Sequence, residues 1–150
     1  MFKIDIHTHI LPENLNEITS RYSDSRFLKI DPIDDVSAML NKDGQAFRKV
    51  DCNCWNHHIR IKECENTQVN MQVLSTIPVL FSYWAEKDEC QTLAQFINDH
   101  IAQICREDPQ RFIGLGTIPM QNPDMAISEM DRCINTLNLP GIEIGSNING

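Results

Sequence analysis

The sequence predicts an α/β chain, the first half of a (β/α)8 TIM-type barrel with a small antiparallel β insertion after the first strand. Three observations carry this expectation. From residue 56 onward, short apolar β-like runs alternate with segments of helical period, the pattern of βαβ units around a parallel sheet. The chain also opens on a β-like run, residues 2–10, with two histidines one residue apart. Finally, a closed barrel typically takes about 250 residues, and the 150 present make about half of one. Residues 1–150 are therefore expected to form a partial barrel, with residues 11–54 as the insertion and the C-terminal half absent.

In the opening run, strand alternation puts His7 and His9 on one face with Lys3 and Asp5. Ile4, Ile6 and Ile10 fall on the other, suited to packing against helices. Leu11-Pro12 breaks the pattern, and residues 15–37 are polar and irregular, with weak strand character at 27–30. Asp43-Gly44 is a two-residue hairpin signal between residues 38–42 and 45–50.

Asn56 is placed to cap a helix running to about Thr67, with Ile59 and Cys64 on its buried side. The second barrel strand follows at 71–77, closed by Pro78. The best helix has Cys90, Leu93, Ala94, Ile97, Ile101, Ile104 and Cys105 at spacings of three and four, and Asp108-Pro109 ends it. A third strand at 112–118 is closed by Pro119. Asn122-Pro123 supplies a cap and a first-turn proline for a helix whose apolar stripe is Ala126, Met130, Cys133, Ile134 and Leu137. A fourth strand begins at 141–145.

Composition narrows the function classes. Thirteen basic against 21 acidic residues give a net charge of −8, which disfavours nucleic acid and anionic membrane as partners, since both need clustered Lys and Arg. Lys3 and Asp5 leave no room for a signal peptide, and the apolar run 77–85 is far too short to span a bilayer. A cytosolic protein is expected. The six cysteines are then thiols, with Cys64, Cys90, Cys105 and Cys133 as small core residues.

Two imidazoles at the C-terminal end of a first barrel strand lie on the face where barrel active sites form. His7 and His9 therefore read as half of a divalent-metal site, and imidazole with carboxylate ligands suits zinc. The other strand ends, Thr76-Ile77-Pro78 and Thr117-Ile118-Pro119, carry no histidine or carboxylate, so the remaining ligands are expected beyond residue 150.

A rival cluster, Cys52-Asn53-Cys54-Trp55-Asn56-His57-His58, lacks the spacing of structural zinc sites. Adjacent His57 and His58 at a helix start are expected to point in different directions, leaving exposed histidines and buried cysteines. Arg48, next to Phe47, has the planar fork that holds a carboxylate through two hydrogen bonds, although a strand arginine is more often a solvated surface residue. Phe81, Tyr83 and Trp84 read as pocket lining or as packing. No phosphate loop, nucleophile elbow or dinucleotide fingerprint is present.

The opening Ile-Asp-Ile-His-Thr-His-Ile-Leu-Pro resembles the metal-dependent amidohydrolase superfamily. Three further stretches, residues 42–48, 72–84 and 111–121, are similar to one family within it: the 2-amino-3-carboxymuconate-6-semialdehyde decarboxylases, zinc enzymes of the kynurenine route of tryptophan breakdown. The resemblance implies that His7 and His9 are the first two zinc ligands and that Arg48 binds a substrate carboxylate. It assigns no catalytic residue within this chain. The family's third histidine ligand, catalytic histidine and aspartate ligand come later, as does an arginine from the partner subunit of a homodimer.

The implied reaction expels carbon dioxide from the small-molecule substrate to give 2-aminomuconate 6-semialdehyde, diverting material from quinolinate and NAD synthesis. The 150 residues alone are expected to be inactive. Two alternatives remain at this point: another metal-dependent hydrolase or aromatic-acid decarboxylase of the superfamily, or a non-catalytic truncated subunit.

Overall fold

The computed structural model describes residues 1–149. A four-stranded parallel sheet is built from β1 (Ile4–His9), β5 (Met71–Ser75), β6 (Phe112–Gly116) and β7 (Gly141–Ile142), in that spatial order. Beside it, β2 (Lys29–Asp34), β3 (Ser37–Lys42) and β4 (Gln45–Asp51) form an antiparallel meander. The helices are α1 (Asn16–Thr19), α2 (His57–Thr67), α3 (Lys87–Glu107) and α4 (Pro123–Asn135). None of them is long and apolar enough to cross a membrane.

Local chemistry explains the element boundaries. The β3–β4 turn has Asp43 and Gly44 at φ of 55° and 70°, the left-handed pair a type I′ hairpin needs. The Asn56 side chain accepts from the backbone N–H groups of His58 and Ile59 and starts α2. Asn122 does the same for Met125 at the head of α4, where Pro123 occupies the first turn. The parallel strands stop earlier than their apolar runs suggest, at Ser75 and Gly116, leaving residues 76–77 and 117–118 as loop.

α3 anchors the core. Leu93, Ile97, Ile101 and Ile104 are fully or almost fully buried, together with Ile10, Leu74 and Phe112 of the strand layer. The helix lies so close to β6 that a Cβ on Gly114 would sit 2.5 Å from Ile101 Cγ2. Only glycine fits there.

Residues 15–37 are more ordered than their polarity suggests. Leu15, Ile18, Phe27 and Leu28 are buried, and the Asn16 side chain bridges to β2, donating to the Ile30 carbonyl (2.6 Å) and accepting from its N–H (2.9 Å). A polar residue here replaces a strand partner.

Two faces differ from the sequence expectation. Ile4 and Ile6 are 48% and 77% exposed while Ile10 is buried. β1 is an edge strand, and its register slips so that the three steps from Asp5 to Thr8 oppose the two from Gln72 to Leu74; such a bulge breaks the strict two-residue alternation. On α4, Ala126 and Cys133 are buried, but Met130 and Ile134 join Ile127 on an exposed apolar face. Spacings of three and four also fit this second stripe, which the period alone does not separate from the first.

All six cysteines are free thiols, with Cys64, Cys90 and Cys133 buried and Cys105 half-buried.

Candidate functional site

β1 ends at the C-terminal edge of the parallel sheet, and its two histidines lie together there. The His7 and His9 rings lie edge to face with centroids 5.0 Å apart. His9 Nδ1 is 3.1 Å from Ser75 Oγ on the neighbouring strand, and that hydroxyl lies 3.3 Å from the Thr8 carbonyl, to which it donates. A hydroxyl whose proton is committed to a carbonyl accepts from the imidazole. This arrangement favours the proton on His9 Nδ1 and leaves the Nε2 lone pair free, a tautomer that can ligate a metal.

Ser75 does not stand out in the sequence. Its signal there was faint: a small hydroxyl residue at the last position of the strand beside the histidine pair. Asp5, placed on the histidine face by simple alternation, accepts from the His7 backbone N–H at 3.4 Å and lies close enough to Arg60 and Cys64 of α2 to act on them electrostatically. Among the described residues no third histidine, cysteine or carboxylate joins His7 and His9 within ligand range.

Beneath this strand end sits Arg60, 8% exposed. Its guanidinium donates to the His9 carbonyl (2.8 Å) and twice to the Asn53 carbonyl (2.7 and 3.1 Å). Burial lowers its pKa from the usual value, and it has no carboxylate partner within bonding distance. An arginine spent on two carbonyls fixes the end of β1 to the turn that starts α2.

His9 opens into a cavity of about 500 Å3 between the two sheets, with Arg48, Phe47 and Lys49 of β4 on one wall and Ile77, Pro78 and Val79 on another. Arg48 pairs across the meander with Leu40 and is exposed, so its guanidinium is available to a ligand. Cys54 also lines the cavity. Burial pushes its thiol pKa up, so it lines the wall as a neutral group.

The aromatic stretch after β5 does two jobs. Phe81 and Tyr83 are buried and stacked at 5.5 Å, and Trp84 packs on Phe27 at 4.8 Å. The same residues floor a second cleft of about 570 Å3 that shares Pro78 and Val79 with the first.

The rival cluster is arranged differently from the sequence expectation. His57 and His58 do not diverge; their ring centroids are 4.0 Å apart, at the start of α2, where His57 meets Glu107 and Asp108 at the end of α3. Cys52 and Cys54 are half-buried and take no part in the group.

His9 and Arg48 thus share one cavity, with His7 beside His9. Over 148 residues, 99% of the chain, it is 49% identical to a 2-amino-3-carboxymuconate-6-semialdehyde decarboxylase of Dictyostelium discoideum. A protein of the same name from Caenorhabditis elegans is 32% identical over 97% of the chain. The chain spans 41% of the length of each of these relatives. Among solved structures, a 5-carboxyvanillate decarboxylase of Novosphingobium aromaticivorans, crystallised with manganese, superposes with a TM-score of 0.73 at 20% identity, covering 99% of this chain and 43% of that one. No family model matches the sequence.

Proposed function

We propose, from the premise that this chain is related along nearly its whole length to the 2-amino-3-carboxymuconate-6-semialdehyde decarboxylases, that it supplies the N-terminal part of such an enzyme. The reaction is non-oxidative loss of carbon dioxide from 2-amino-3-carboxymuconate 6-semialdehyde, in the kynurenine route. His7 and His9 are two of the metal ligands, with zinc as the metal. Arg48 holds a carboxylate of the substrate. The observation that carries this reading is that His9 and Arg48 line one cavity at the C-terminal edge of the parallel sheet.

The residues fit a metal of that kind. The His7 and His9 rings converge, and Ser75 keeps His9 in the ligating tautomer. A bound divalent cation there supplies Lewis acidity and lowers the pKa of water. The chain's own residues then orient: Arg48 binds the carboxylate in a bidentate grip, Phe47 and Val79 cover the unsaturated carbon chain, and Arg60 keeps His9 from shifting. With only two ligands among the described residues, the 150 residues alone are inactive.

The rest of the proposed enzyme completes a barrel and covers the apolar faces of β1 and α4, including Ile6 and Ile127. The complete enzyme works as a cytosolic homodimer. The test is made in the complete protein. His9→Ala is expected to lower bound metal by one equivalent with loss of turnover. Arg48→Ala should keep the metal and raise KM at least tenfold. Full metal content in the first variant, or an unchanged KM in the second, would overturn the assignment.

A further inference from the structure

His57 and His58 belong to a second polar cluster, apart from the His7–His9 pair. His57 Nε2 lies 3.2 Å from Glu107 Oε2 and 3.6 Å from Asp108 Oδ2. One donor atom each from His57, His58 and Asp108 falls within 4.8 Å of the others. Four donors around zinc at ordinary bond lengths stand about 3.4 Å from one another, so the set needs only small side-chain rotations to close on an ion.

An ion pair does not account for the cluster as well. The His57 side chain is 13% exposed, and burial, then the neighbouring His58 charge, lower its pKa from the usual 6.5. Its Nε2 is buried without a well-aligned hydrogen-bond partner. Two carboxylates face the His57 ring, and no Lys or Arg among the described residues comes within 4.0 Å of either. Gln103 Nε2 donates to Glu107 Oε1 at 2.8 Å, which leaves Oε2 turned to His57. A divalent cation supplies the missing charge, and the C-terminal end of α3 favours it.

We propose that His57, His58 and Asp108, with Glu107 as the fourth donor, form a binding site for zinc-type divalent cations that clamps the start of α2 to the end of α3. Mixed imidazole and carboxylate donors suit Zn2+ and Co2+ and serve Mg2+ or Ca2+ poorly. All four donors belong to the described residues. The site lies in the helix layer, away from the cavity that His9 opens into, and its occupancy locks together the two helices that flank β5.

The test uses the metal-stripped 150-residue chain carrying His7→Ala and His9→Ala, titrated with Zn2+ against a chromophoric chelator and with Co2+ by visible absorption. One equivalent of Zn2+ is expected to bind, with a tetrahedral Co2+ spectrum. Adding His58→Ala, at an exposed position that does not endanger folding, should weaken binding more than about tenfold, and Asp108→Asn should do the same. If the His7/His9 double variant takes up no Zn2+, or if neither added substitution changes its affinity, the proposal is wrong. Circular dichroism of each variant separates lost ligands from lost fold.

Discussion

Arg60→Met is the most informative single perturbation of the framework under the site. Arg60 buries a cation without a carboxylate partner, which by itself costs several kcal/mol. Against this stand three hydrogen bonds from a charged donor to the carbonyls of His9 and Asn53, each worth about 1.5–3 kcal/mol. Methionine fills similar volume and removes the cation, but strands two buried carbonyl oxygens, at about 1–3 kcal/mol each. The balance favours arginine by about 3 kcal/mol, or a loss of roughly 6–12 °C in Tm for a chain of this size. Arg60→Lys, which reaches one carbonyl, should fall between. The assay is thermal unfolding followed by circular dichroism, with metal affinity of the complete protein as the second readout, expected to fall about tenfold as His9 loosens. A methionine variant that melts at or above wild type would show that desolvation of the cation outweighs its hydrogen bonds.

Two further outcomes follow from the core and from the buried histidines. Gly114→Ala must push Ile101 and Leu139 aside, since the new methyl would sit 2.5 and 2.9 Å from them; a destabilisation of about 2 kcal/mol is expected in urea denaturation, and a neutral result would mean that α3 moves freely off β6. For His100, burial and then the His57 charge lower the pKa from 6.5. A depressed histidine pKa means that the unfolded chain takes up the proton first. Its contribution is therefore complete above about pH 6.5 and is lost as pH falls through the folded-state value. Melting of the metal-free chain should show Tm dropping below pH 6.5, and His100→Gln should flatten that slope.

Much of this fold is legible in the sequence because the signals are local. The Asp43-Gly44 turn, the Asn56 and Asn122 caps and the apolar period of α3 each need only neighbours to be read. Features set by tertiary partners are not. The bulge in β1 comes from pairing with β5 and decides which side chains Ile6 and Asp5 leave to solvent or to α2. The two stripes of α4 have one period and are separated only by where α3 lies. At the candidate site, His7, His9 and Arg48 stand out by residue type. Ser75 and Arg60 do not, since a strand serine and a helix arginine look ordinary until the fold brings them to His9. His57 and His58 meet Asp108 only once α3 is packed beside the start of α2.

The most direct test of the central assignment is anomalous diffraction at the zinc edge from crystals of the complete protein. A peak is expected about 2.0–2.1 Å from Nε2 of His9 and coordinated by His7, with the Arg48 guanidinium across the same cavity. A zinc-loaded crystal with no peak at the two histidines would contradict it.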